Sequence, residues 1–83
     1  MTLTQLRSFI AIVDCGHNVT LAAQRLHATQ SGVSKQLAQL EAALGMSLFV
    51  RRARALTGLS EAGAQVLVHA RRLLAESANI QAL

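Results

Sequence analysis

Residues 20–45 read TLAAQRLHATQSGVSKQLAQLEAALG, and this stretch holds two helices with almost nothing between them. Thr20 suits an N-cap, where a hydroxyl accepts from a first-turn amide, and it opens a short helix through Leu21, Ala22, Ala23 and Leu26 to about His27. The paired alanines let a second helix approach closely. Thr29 is the next cap. Beyond it Val33, Leu37, Leu40 and Leu44 recur at helical spacing, which confines them to one narrow buried stripe. Gly45, free to turn left-handed, ends this helix. Two helices joined this tightly, the second with a small polar outer face, make a helix-turn-helix pattern.

That outer face follows from the geometry of the second helix. Stepping ~100° per residue from Val33 puts Ser31, Lys35, Ala38 and Ala42 opposite the core stripe, with Ser34 at the margin. Hydroxyls, one lysine and small residues suit close approach to a DNA major groove. Lysine reaches a phosphate or a guanine edge, and serine serves either role. Gln30, just after the cap, sits where helix-turn-helix proteins place base contacts. Gln36 falls beside the core stripe and reads as structural. An ordinary solvated face would carry several Glu and Lys pairs, whereas this one has only Glu41 near its margin.

Upstream, Thr2 and Gln5 form a capping-box pair for a helix from about Leu3 to Asp14. Leu3, Leu6, Phe9, Ile10 and Val13 make its buried stripe, and Gly16 stops it. Downstream, Leu48, Phe49 and Val50 suit a short strand, with Ala55, Leu56 and Thr57 as its partner. Arg51, Arg52 and Arg54 lie between them as a basic tip, the signature of a wing. Unpaired cations so close repel one another unless an anion neutralises them, so phosphate contact is the better reading, one arginine entering the minor groove. Such a hairpin is marginal alone, and Phe49, Leu56 and Leu59 are its expected anchors on the helices. Arg7 and Arg25 read as surface residues.

Ser60 caps a last helix of about 23 residues, or ~35 Å. Val66, Ala70, Leu73, Ser77 and Ile80 alternate by four and three along it, with Leu67 and Leu74 widening the stripe. That is more apolar surface than so small a domain needs to cover, so the stripe is expected to meet another chain. Nothing terminates this helix before Leu83, and the sequence reads as cut from something longer. Arg71 and Arg72 fit a solvated role, an interhelical pair or DNA contact equally.

The 83 residues allow one domain, and a 52% hydrophobic content excludes disorder. Fifteen alanines, fourteen leucines and no proline favour helices. Seven arginines and one lysine against four acids give +4, which calls for an anionic partner such as nucleic acid or a lipid surface. Cys15 alone cannot make an internal disulfide and reads as a small buried hydrophobe; a redox role would want a second thiol or a nearby cation. His17, His27 and His69 lack metal-ligand spacing, the four acids form no pair, and no glycine-rich phosphate loop occurs. No catalytic residue, metal or cofactor is therefore expected. No apolar run approaches the ~18 residues of a membrane span, and no signal peptide is evident, so a cytoplasmic protein is expected. A competing reading is a helical dimerisation or adaptor module whose basic patch only aids solubility. A membrane-surface helix is weaker, since no segment joins a basic face to bulky aromatics.

The motifs taken in order resemble the LysR-type transcriptional regulators, specifically their N-terminal DNA-binding domain, along the whole chain. They run through Leu6-Arg7-Ser8-Phe9, Thr20-Leu21-Ala22-Ala23 with Leu26-His27, and Thr29-Gln30-Ser31-Gly32-Val33-Ser34-Lys35-Gln36. Leu40-Glu41, Leu44-Gly45, Leu48-Phe49-Val50-Arg51 and Ser60-Glu61-Ala62-Gly63 complete them. Asn18-Val19-Thr20, Gly32-Val33-Ser34-Lys35-Gln36 and Leu56-Thr57-Gly58-Leu59-Ser60 are similar to the CysB branch, which regulates sulfur assimilation. Ser31 and Glu61 stand where proline is common in such sequences; the first change could alter which bases are read.

The resemblance implies a mainly α fold: a winged helix-turn-helix of three helices and a two-stranded wing over residues 1–60, then a linker and dimerisation helix over residues 61–83. A small-molecule effector domain would lie outside this chain. It also implies a regulator that binds an inverted-repeat promoter site on double-stranded DNA as a homodimer, and as a tetramer when full length. Cysteine-biosynthesis genes are the implied targets. The DNA contacts would fall on Thr29, Gln30, Ser31, Ser34, Lys35, Arg51, Arg52 and Arg54. The dimer contacts would fall on Val66, Leu67, Ala70, Leu73, Leu74 and Ile80.

Overall fold

Thr2 Oγ1 accepts from the Gln5 amide at 3.1 Å while Gln5 Oε1 accepts from the Thr2 amide at 3.0 Å, so the first helix opens on a complete capping box. The computed structural model describes residues 1–83. Helix α1 runs Leu3–Asp14, α2 Val19–Arg25 and α3 Gln30–Leu44; strands β1 (Phe49–Arg52) and β2 (Ala55–Leu59) follow, then α4 (Glu61–Gln81). This is the mainly helical architecture with a two-stranded wing.

Each of the first three helices stops in the same way. Gly16, His27 and Gly45 take positive φ of 67°, 53° and 69°. The amide of each, and that of the residue after it, reaches back to carbonyls left free in the last turn. For α3 these bonds are Gly45 to Ala42 at 3.3 Å and Met46 to Glu41 at 3.2 Å. The start of α2 differs from expectation. Asn18, not Thr20, is its cap, its Oδ1 accepting from the Leu21 amide at 3.0 Å. Asparagine caps as well as threonine does, and the turn at Gly16 and His17 brings Asn18 there first.

The core joins Leu6, Phe9 and Ile12 of α1, Ala22 and Ala23 of α2, and Val33, Leu37 and Leu40 of α3 to Leu48, Phe49 and Ala70. On α1 the buried arc is rotated from the expected stripe. Ala11 and Ile12 are buried, Ile10 and Val13 sit at the rim, and Leu3 is 39% exposed. The cause is that α1 is covered by α2 and α3 on one side and by α4 on another. Cys15 is half-buried against this cluster.

Strand β1 begins and ends later than expected, while β2 begins at Ala55 as expected and runs on to Leu59. Arg51 and Arg52 lie within β1, with Arg51 opposite Leu56 and Arg52 opposite Ala55. Only Ala53 and Arg54 form the turn, both at positive φ (49° and 68°), the geometry that matches the twist of a two-residue hairpin. Thr57 is the extra residue of a bulge on β2, and its hydroxyl donates to the Val50 carbonyl at 3.3 Å. Phe49 roots the wing by meeting Phe9 edge-on at 5.5 Å, and Leu56 and Leu59 pack against the same cluster.

Ser60 fixes where α4 departs. Its Oγ accepts from the Gly63 amide at 2.9 Å and donates to the Ser47 carbonyl at 2.7 Å, while its own amide donates to the Leu48 carbonyl. Helix α4 then crosses α1. Beyond Leu74 only Ser77 is even half-buried, so its last turns extend past the body of the domain. No helix is long and apolar enough to cross a membrane.

Candidate nucleic-acid interface

The outer side of α3 is free of the fold. Gln30, Ser31, Ser34, Lys35, Ala38 and Ala42 are all exposed, while Gln36 is half-buried beside the core stripe. Thr29 shapes the first turn: its Oγ1 accepts from the Gly32 amide at 3.0 Å and lies 3.3 Å from the Ser31 hydroxyl. A Cβ at Gly32 would lie 2.9 Å from Thr29 Oγ1, so glycine leaves this cap uncrowded. The cap therefore presents Gln30 and Ser31 at the exposed start of the helix.

The three wing arginines divide. Arg51 is not an unpaired cation at a tip, as its position in sequence suggested. Its Nη2 donates to Glu41 Oε1 at 2.8 Å, and Glu41 Oε2 accepts from the Leu48 amide at 2.7 Å. One carboxylate so placed binds the end of α3 to the root of β1. Arg52 and Arg54 are exposed and lie in no ion pair.

Arg54 does not merely point into solvent. It lines a cleft of about 370 Å³ with Gln30 of α3, residues 16–20 before and at the start of α2, and Ala55 and Leu56. The wing and the start of α3 thus face one concavity that contains no acidic residue. His17 lines it too, its ring edge-on to Phe49 at 5.8 Å. Sequence reasoning missed His17, Asn18 and Thr20 here, because only the fold brings that segment beside the wing.

Charge is distributed in the same sense. Residues 1–60 hold six basic and two acidic side chains, and residues 61–83 hold two of each, so the entire net +4 belongs to the first sixty. Both acids in that part are already paired, Glu41 with Arg51 and Asp14 with Arg71. The Arg71 hydrogen bond, helped by the nearby charges of Arg71 and Arg25, holds the Asp14 carboxyl below the usual carboxylate range despite some desolvation.

On α4 the expected contact stripe separates into two groups. Ala70 is 1% exposed within this chain's own core, and Val66 and Leu67 pack against it, because α4 crosses α1 at that level. Ala70 is thereby withdrawn from any contact with another chain. Leu74 is half-buried, whereas Val68, Leu73 and Ile80 stand 49%, 44% and 68% exposed.

Residues 3–64 match the model of the bacterial regulatory helix-turn-helix proteins of the lysR family. The chain is 47% identical over its 83 residues to the HTH-type transcriptional regulator CysB of Thiocapsa roseopersicina, covering all of this chain and 61% of that one. It is 39% identical over the same length to the HTH-type transcriptional regulator cbl of Escherichia coli K12, of which it spans 26%. Among solved structures it is similar to the crystal structure of a CbnR DBD–DNA complex, with a TM-score of 0.88 and 38% identity over 98% of this chain and 91% of that one.

Proposed function

The chain belongs to the lysR family of bacterial regulatory helix-turn-helix proteins, in its CysB-like branch, and we propose that it is the DNA-reading part of a transcriptional regulator. In this reading residues 1–60 form the reading head and residues 61–83 the linker and dimerisation helix. The observation that carries it is the convergence of Gln30 and Arg54 on one cleft free of acidic residues, beside the exposed Ser34 and Lys35 of α3. Gln30, Ser31, Ser34 and Lys35 enter a major groove, with Thr29 holding the turn. Arg52 and Arg54 take phosphates on the flanking side, Arg54 closest to the start of α3. Arg51 acts through the wing, holding β1 on Glu41.

Two copies joined through α4 bind an inverted repeat of double-stranded DNA, one recognition helix to each half-site. The CysB-like kinship supports sulfur-assimilation and cysteine-biosynthesis promoters as the targets, reached in the cytoplasm. The chain spans only part of its curated relatives, so effector response and tetramer formation fall to the rest of such a regulator. Selection from random duplex DNA followed by footprinting across a salt series tests this. A two-fold symmetric site with a steep salt dependence is expected. Self-association without sequence preference in the selected pool would instead favour the adaptor reading.

A further inference from the structure

A second cleft, of about 320 Å³, opens between α1 and the α2–α3 turn, away from the wing. Thr4, Arg7 and Ser8 of α1 line one side; Leu26 and Ala28 of the turn and Val33 of α3 supply the apolar wall, with Gln36 beside it. Four polar side chains thus line a small concavity, and none of them is engaged elsewhere. Thr4, Arg7, Ser8 and Gln36 take part in no side-chain hydrogen bond within the chain. Ser8 is nevertheless only 4% exposed. Its hydroxyl oxygen still opens onto the cleft, since no side-chain oxygen or nitrogen of the chain is both buried and unpartnered, so a ligand seated there can reach it. Arg7 is the single charge in the lining and pairs with no carboxylate, the chain's two ion pairs being elsewhere.

We propose that this cleft binds small aliphatic carboxylates. A guanidinium grips a carboxylate through two parallel N–H donors. The hydroxyls of Thr4 and Ser8 and the amide of Gln36 can donate to the lone pairs that remain. The ligand's alkyl end then lies on Leu26, Ala28 and Val33, out of water. The volume falls at the small end of ligand sites, which suits a short-chain acid. Inorganic anions satisfy Arg7 but leave the apolar wall wet.

The test is an amide-resolved NMR titration of this 83-residue chain with sodium hexanoate, using hexanol and sodium chloride as controls. Hexanoate is expected to move the amides of Arg7, Ser8, Gly32, Val33 and Gln36 saturably. Arg7→Gln should weaken it roughly tenfold, as loss of a charged hydrogen-bond partner does, and Arg7→Lys should restore part of the affinity. Arg7 is exposed, so both variants should keep the parent spectrum elsewhere. Equal binding of hexanol, identical shifts from sodium chloride alone, or an Arg7→Gln variant that binds as the parent does would each overturn the site. So would an absence of saturation, even if Arg7→Gln weakened binding to duplex DNA, because Arg7 would then be a backbone contact.

Discussion

Arg71 Nη2 lies 2.7 Å from Asp14 Oδ1, an ion pair that fastens the middle of α4 to the last turn of α1. The carboxylate is held below its ordinary value of 3.8, so its contribution to stability is complete above that value. It disappears as pH falls through the lowered value of the folded state. Both side chains are more than a third exposed, and screening limits the pair to ~0.5 kcal/mol. Urea titrations of the parent and Asp14→Asn should differ by about that amount near neutrality and converge in acid. A difference that grows in acid would contradict this assignment.

A larger effect is expected at Gly63. In an exposed helix Gly→Ala gains about 1 kcal/mol from propensity alone. Here the added Cβ would run into the Leu48 carbonyl, which is backbone already engaged by the Ser60 amide and cannot move aside. The clash wins, and Gly63→Ala should lose about 1–3 kcal/mol in denaturant unfolding. Ser60→Ala removes both a cap and the bond to Ser47, and should cost about 1–2 kcal/mol.

These joints mark the boundary of what could be read from sequence. The caps at Thr2, Thr29 and Ser60 were legible, since capping is local chemistry within three residues. So was the Val33–Leu37–Leu40 stripe, because helical period maps directly onto one face. The burial of Ile12 was not, for it depends on α4 returning over α1 from far along the chain. Arg51 was misread for the same reason: its partner Glu41 is ten residues away on another element. The left-handed turn at His27 carried no glycine to announce it.

That turn and the wing tip yield a further expectation. His27 and Ala53 hold positive φ against the preference of side chains with a Cβ. His27→Gly and Ala53→Gly should each raise the unfolding free energy by about 0.5–1 kcal/mol, net of the added entropy of the unfolded chain. A loss of stability in either would mean that the replaced side chain makes a contact worth more than the strain.

The arginines should separate by kind of effect. Arg52→Ala and Arg54→Ala should weaken binding to all duplexes alike and flatten the salt slope by about one unit each. Arg51→Ala should lower stability by ~0.5 kcal/mol through Glu41 and change the salt slope less. Lys35→Ala should cost roughly 1–3 kcal/mol on the selected site, with the fold intact, because Lys35 faces away from the core. Fluorescence anisotropy at several salt concentrations reads all four. A sequence-selective loss at Arg52 or Arg54 would assign them to bases instead.

The last expectation concerns α4, whose surface is divided by its own packing. Ala70 faces α1 and is closed, while Leu73 and Ile80, two turns apart on the same side, remain in water at 44% and 68% exposure. Leaving such side chains wet forgoes about 25 cal/mol for each Å² of apolar surface, which pairing with a second α4 recovers. The residues that remain free are few, so the dimer of this chain alone should be modest, in reversible exchange at micromolar concentration. Sedimentation equilibrium should show that association, and Leu73→Glu should abolish it without loss of helicity, since Leu73 is outside the core cluster. Ala70→Glu serves as the contrasting variant: it should unfold the domain rather than dissociate it, by forcing a charge into the contact with α1. A chain that stays monomeric at high concentration, or a Leu73→Glu variant that associates as the parent does, would remove α4 as the interface.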